Sequence, residues 1–284
     1  MKKIPCPLPA DDFKSHFSVF PWEHYVKAFH MIGNVYYIGD DFAASLLFAT
    51  SEGLLLIDTG MPQCTPFLLH NIYQLGFQPS DIKKILHTHA HFDHTGATMC
   101  LKKLSDAKLY MSEIDVKMYF EHPELTTLGH VEMGWPLTQI DTELKDGDIV
   151  SLGETSVQCL VTPGHTDGAL SFLVNIEENG QTYKAALFGG AGLNTLTTEY
   201  LMTNFGSLEN RQKYLASLNR LEALEDISIT LSNHPAMNNT FEKQKKKAFS
   251  SENPFLDPSE WKLFIQNMRN QFHKMIENEK KLII

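Results

Sequence analysis

His89-Ala90-His91-Phe92-Asp93-His94 places three imidazoles and a carboxylate within six residues. Such donors suit zinc and other borderline divalent ions, and a catalytic zinc site uses three protein ligands and keeps one position open. Four ligand-type residues exceed one such set. Ile82-Lys83-Lys84-Ile85-Leu86 just before them reads as a strand. If His89 and His91 leave its end, the two-residue period puts both on one face, where they can share an ion. Asp93 and His94 then fall at the opening of the next helix and can turn towards a second ion. That helix is expected over residues 95–104, with Lys102 and Lys103 near its C-terminal end, where the helix dipole favours cations.

Around the motif, residues 1–30 are rich in proline and aromatics without a period, which predicts an extended arm packed on the core, and residues 31–284 read as one domain. Strands are expected at 34–38, 44–49 and 53–58 as an antiparallel meander, followed by an amphipathic helix over 62–76. A strand at 107–111 leads into a helix over 112–120 with Ser112 as its N-cap. Residues 121–140 hold Pro123, Gly129, Gly134, Trp135 and Pro136 and no steady period, as a long functional loop does. A second strand-rich half opens at the turn Asp146-Gly147-Asp148, with strands at 155–161, 170–176, 182–188 and 227–231 and helices at 208–224 and 258–281. Two halves, each a sheet followed by covering helices, predict an α/β chain folded as a four-layer αββα sandwich. Its two mixed sheets are flanked by helices, with the metal site at the sheet edge between the halves.

At 284 residues and a net charge of -10, the chain can bury a large core and does not suit a polyanion, so a small-molecule substrate is expected rather than nucleic acid. Lys243-Gln244-Lys245-Lys246-Lys247, the sole basic run, reads as a solvated face. No apolar run approaches the roughly 20 residues that span a bilayer, so no membrane partner is expected. Pro5, Pro7, Pro9, Asp11 and Asp12 interrupt any apolar leader core. The sequence as written therefore reads as cytoplasmic, and a periplasmic or secreted location requires that a leader was removed. Cys6, Cys64, Cys100 and Cys159 are widely spaced and read as free thiols. Oligomeric state has no signature. No GxSxG elbow is present to supply a serine nucleophile.

His165, in Thr162-Pro163-Gly164-His165-Thr166, and His234, in Ser232-Asn233-His234-Pro235, each follow a predicted strand directly. Alone, either reads as an ordinary loop histidine. Together with the six-residue motif and Ile57-Asp58-Thr59-Gly60 they make residues 32–280 resemble the metallo-β-lactamase superfamily. That resemblance implies that His89, His91 and His165 hold one zinc ion and that Asp93, His94 and His234 hold a second. It also implies a catalytic role for Asp93, orienting an attacking hydroxide held by the metals. Asp58 is read as orienting a ligand imidazole or the motif loop from behind. Most hydrolases of the superfamily add a bridging Asp after a later strand, where this chain has Leu187-Phe188-Gly189-Gly190-Ala191-Gly192. The cysteine ligand of the first β-lactamase subclass is absent too, since Ala191 takes that place. The pattern is that of the third, histidine-rich two-zinc subclass, and Asn253-Pro254-Phe255-Leu256-Asp257-Pro258 before a terminal helix is similar to it as well.

The activity so implied is zinc-dependent opening of a β-lactam amide, with antibiotic resistance as its associated role. The alternatives are hydrolysis of another small lactone, ester or thioester, and a metal-binding module without catalysis. Members of the third subclass usually carry serines that hold the β-lactam carboxylate, whereas this chain has Ala191, Gly192, Leu193 and Asn194, leaving Asn194 or Thr195 to substitute. Trp135 is a further candidate substrate contact. His87 is read as a non-ligand, because another ligand would close the position catalysis needs. Flavodiiron proteins share the fold but carry Glu where His91 stands, and imidazole there favours zinc over redox iron. His16, His24, His30, His70, His122, His130 and His273 read as packing or surface residues, with a substrate contact left open for His122 and His130 in the long loop.

Overall fold

Strands covered on both faces should read as unbroken apolar runs, and Gly53–Ile57 is one: Leu54 and Leu56 face one core, Leu55 and Ile57 another. Gln181–Phe188 ends the same way, with Ala185 and Leu187 on one side and Ala186 and Phe188 on the other. These double-faced strands define the layers in the computed structural model of the protein, which describes residues 13–128, 137 and 139–282. Trp135, His130 and Cys6 lie outside the described residues.

The first sheet has seven strands in sequence order: β1 Phe29–Ile32, β2 Val35–Tyr37, β3 Leu46–Thr50, β4 Gly53–Ile57, β5 Ile82–Leu86, β6 Lys108–Ser112 and β7 Thr142–Leu144. Neighbours β1 to β4 pair antiparallel and β4 to β7 parallel. The second sheet has the order β12-β11-β10-β9-β8, from β8 Ile149–Leu152, β9 Thr155–Val161, β10 Leu170–Glu178, β11 Gln181–Phe188 and β12 Ile227–Ser232. Its β11–β12 pair is parallel and the others antiparallel.

The helices are α1 Phe13–Val19, α2 Thr65–Gln74, α3 Phe92–Thr95, α4 Thr98–Ser105, α5 Glu113–Glu121, α6 Pro123–Thr126, α7 Thr198–Phe205, α8 Glu209–Glu222, α9 Thr240–Lys247 and α10 Glu260–Leu282. Phe48, Ile57 and Leu86 of one sheet meet Phe172, Leu187 and Leu231 of the other in the central core. Leu68, Ile72 and Leu101 of α2 and α4 cover the outer face of the first sheet. Leu218, Leu221, Phe264 and Ile265 of α8 and α10 cover the second. The result is the expected αββα sandwich with two mixed sheets. None of its helices, among the described residues, is long and apolar enough to cross a membrane.

Two local expectations are corrected, and one strand was not foreseen. Residues 13–30 do not form an extended arm: α1 is helical, and Phe29 already pairs with Tyr37 in the first sheet. The single helix over 95–104 is instead α3 and α4, parted at Gly96-Ala97. Strand β7, only three residues with one buried side chain, completes the first sheet before the second begins at β8.

At the break after α3 the chain is tied to a neighbouring loop. Gly96 N donates to Gly60 O at 3.0 Å, locking the motif helix onto the loop after β4. A Cβ at Gly96 would lie 2.3 Å from Pro62 N and 2.5 Å from Gly60 O, both backbone atoms. Gly96→Ala is therefore expected to destabilise the fold by about 1–3 kcal/mol, read from the urea midpoint. An unchanged midpoint would show that the two loops can separate without cost.

Candidate metal centre

Parallel strands deliver their C-terminal ends to one edge, where loops can converge. Strand β4 ends into Asp58-Thr59-Gly60, β5 into the His89–His94 motif, β9 into Thr162–Thr166 and β12 into Asn233-His234. Strand β5 stops at Leu86, so His89 and His91 are not placed by a strand period. Hydrogen bonds to the loop place them instead. His94 and Asp93 lie in the first turn of α3, as expected, with His91 at its N-cap position.

All six predicted ligand-type residues come together, and all are buried or nearly so. The ring centres of His89, His91 and His165 are 4.7 Å apart in each pair, and those three offer donor atoms close enough to share one ion. A second such group is His89, Asp93 and His94. His234 stands beside it, its Nε2 3.8 Å from Asp93 Oδ2 and its ring 5.0 Å from that of His94.

The remaining ring nitrogens decide which atom each histidine presents. His94 Nδ1 meets Asp58 Oδ2 at 2.8 Å, His165 Nδ1 meets Gly192 O at 3.0 Å, and His234 Nδ1 meets Phe42 O at 2.8 Å. Thr88 Oγ1 donates to Asp58 Oδ2, so it can accept from His89 Nδ1 at 3.1 Å. Each of these partners can accept a hydrogen bond from Nδ1–H, which leaves Nε2 as the donor atom to an ion. His91 differs, turning Nδ1 to within 3.0 Å of His165 Nε2.

Zinc fits this set on the structure's own terms: His89 Nε2 is buried with no hydrogen-bond partner, an arrangement costly unless something else binds it, and His94 Nε2 faces Asp93 Oδ2 at 3.3 Å. Burial holds His89 and His165 well below the ordinary imidazole pKa, and the neighbouring imidazoles add to it. Burial likewise lowers His91 to about 4. Burial opposes charge on His94 too, but Asp93 and Asp58 outweigh it and raise that group to about 10. For Asp93, burial is overcome by His94 and His234, which keep the carboxylate ionised.

Asp58 is buried beside His94. Its backbone is left-handed, φ 58°, and its carboxylate accepts from Thr88 N and Thr88 Oγ1, both at 2.7 Å, besides binding His94. His87 is fully buried with both nitrogens engaged, by Tyr110 O at 3.0 Å and Thr98 Oγ1 at 2.8 Å, as expected of a non-ligand. Thr195 is not available to substrate: its hydroxyl donates to His165 O at 2.7 Å and lies 3.0 Å from His165 Nδ1. Asn194 does face the cleft. His122 is exposed beside Glu124. Among the described residues Cys64, Cys100 and Cys159 are free thiols.

The cleft over the histidines encloses about 560 Å³, walled by Phe42, Phe92, Leu128, Leu193, Ala236 and Met237. No lysine or arginine lines it among the described residues. A smaller lobe on the far side of His91 and His165 is lined by Ile114, Met118 and Phe205 and carries Lys117.

Five imidazoles and one carboxylate thus converge at the shared edge of an αββα sandwich, the donor set of a metal centre. Residues 38–178 match the family model of the metallo-beta-lactamase superfamily, and the chain belongs to that superfamily. Among solved structures it is similar to BJP-1, a subclass B3 metallo-beta-lactamase of Bradyrhizobium japonicum, at 29% identity and TM-score 0.84, covering 94% of this chain and 100% of that one. Among curated relatives, a probable polyketide biosynthesis zinc-dependent hydrolase of Bacillus subtilis is 32% identical over 33% of this chain and 35% of its own length. An N-acyl homoserine lactonase of Bacillus cereus is 26% identical over 47% of this chain and 58% of its own. The chain thus spans only about a third of the first curated relative it matches.

The turn that supports His234 holds a titratable group. Asp40 Oδ1 accepts from Phe42 N and Ala43 N, fixing the turn from which Phe42 O reaches His234. Burial raises the Asp40 carboxyl to about 6, against backbone hydrogen bonds from Ala43, Phe42 and Met61. The folded state then holds this proton more tightly than the unfolded chain, so this group's contribution falls as pH rises from about 4 through about 6. Asp40→Asn should flatten the dependence of urea stability on pH across that window. An identical pH profile in the variant would show that Asp40 titrates as an ordinary exposed carboxylate.

Proposed function

We propose that the protein is a dizinc hydrolase that opens the amide of a β-lactam ring. The observation that carries this reading is the pair of overlapping donor groups, His89-His91-His165 and His89-Asp93-His94, with His234 beside the second. No carboxylate enters from Gly190-Ala191. The full-length likeness to a subclass B3 enzyme supports the same substrate class.

Bound by these residues, zinc would polarise the substrate carbonyl and make a water nucleophilic near neutral pH. The protein's own part is orientation and proton handling. The Nδ1 contacts to Asp58, Thr88, Gly192 and Phe42 hold four rings in one tautomer and one direction. Asp93 lines the cleft as an ionised carboxylate, and we assign to one of its oxygens the orientation of the attacking water and the receipt of its proton. The apolar walls exclude bulk water and strengthen these charges.

A second reading, hydrolysis of a neutral lactone or ester, is favoured by one feature: the main cleft offers no cation to a substrate carboxylate, and Leu193 stands in the loop where subclass serines are expected. The likeness to a lactonase supports it.

A panel of a chromogenic cephalosporin, an acyl-homoserine lactone and a glutathione thioester, assayed with added zinc, separates the two. The highest kcat/KM is expected on the cephalosporin, and a clear preference for the lactone would replace the first reading by the second. Asp93→Ala should lower kcat about 10²–10⁴-fold and His89→Ala should abolish turnover. Near-normal rates in both variants with zinc present would contradict the mechanism.

A further inference from the structure

Asp115 is a fully buried carboxylate outside the cleft, in the first turn of α5. Ser112 and Asp115 are spaced as in a capping box, where the acid would reach back to the backbone of the cap residue. Half of that motif forms: Ser112 Oγ accepts from Asp115 N at 3.1 Å. The carboxylate is directed elsewhere. Its Oδ2 accepts from Ala90 N and from Thr166 Oγ1, each at 2.9 Å, and its Oδ1 accepts from Gly168 N at 2.9 Å. Ala90 lies between His89 and His91, and Thr166 follows His165. One buried group therefore ties together the two loops that supply the first ligand set.

The fit is close on the second loop. A Cβ at Gly168 would lie 2.5 Å from Asp115 N and Oδ1 and 2.3 Å from Ser112 Oγ. Three donors converge on a group that only accepts, so an amide of the same size cannot satisfy them: its NH₂ would face a donor, and one N–H would lose its acceptor.

We propose that Asp115 is a positioning residue for the first metal ion, setting the spacing of His89 and His91 against His165 by holding both loops on one carboxylate. The inference rests on reading those three histidines as a metal set. Asp115 touches none of the donor atoms itself, and it acts through Ala90, Thr166 and Gly168.

The test is equilibrium titration of the full chain with zinc against a competing chelator, repeated with cobalt to record the visible spectrum, on wild type and Asp115→Asn. Circular dichroism and the melting temperature are recorded in parallel. The expected result is a folded variant whose first ion binds about 10–100-fold more weakly with an altered cobalt spectrum, while binding at the second set changes less. A lowered melting temperature with wild-type affinities and spectrum would overturn the proposal, leaving Asp115 a purely fold-stabilising residue. Should Asp115→Asn not fold, Thr166→Val removes one of the three donors with little change of shape. It should weaken the first ion in the same direction, with Thr166→Ser restoring it, and equal affinities across all three would overturn the proposal. Wild type that binds neither metal would sink the metal reading itself, an outcome distinct from wild type binding both ions and Asp115→Asn matching it.

Discussion

The ring nitrogens that face away from the cleft constrain the rest of the site. An imidazole serves as a metal donor only when its other nitrogen carries the proton and has somewhere to put it. Here Asp58, Thr88, Gly192 and Phe42 accept hydrogen bonds from those N–H groups, from the β4 loop, the β5 loop, the segment after β11 and the turn before β3. Both sheets contribute to these partners. The sandwich must therefore assemble before the histidines can point together, and Gly96, packed against Gly60 and Pro62, lies at a junction where this assembly allows no extra atom.

Asp58 illustrates the cost and its compensation. A non-glycine residue at φ 58° is disfavoured, and such conformations persist where the surroundings over-determine them. Three hydrogen bonds to one carboxylate, two from Thr88 and one from His94, do so here. Asp115 repeats the principle on the other side of the motif with Ala90, Thr166 and Gly168. Two buried carboxylates thus bracket the six-residue motif, and neither belongs to either ligand set.

Much of this was legible in the sequence. Apolar runs such as Leu54 to Ile57 announce strands covered on both faces, and the density of imidazoles from His89 to His94 has few uses other than a metal. Other features carry no one-dimensional signal. The motif histidines leave a loop rather than a strand, so their common orientation comes from hydrogen bonds to residues distant in sequence. Ser112 and Asp115 have the spacing of a local cap, and only the fold shows where the carboxylate goes. Thr195 reads as a candidate substrate contact, but its hydroxyl is committed to His165. Strand β7, with two exposed residues of three, lacks the apolar run that marks a strand, and residues 13–32 take their helix and edge strand from packing rather than period.

The chemistry of the cleft follows from its floor and walls: an ionised Asp93 among histidine nitrogens below, apolar side chains above. At its centre are the two overlapping donor groups, proposed to hold two ions. Native mass spectrometry of the zinc-loaded chain tests this most directly. A dominant species carrying two zinc ions is expected, with His234→Ala and Asp93→Ala each reducing it to one. A wild-type chain that takes up a single ion at saturating zinc, or none, would contradict it.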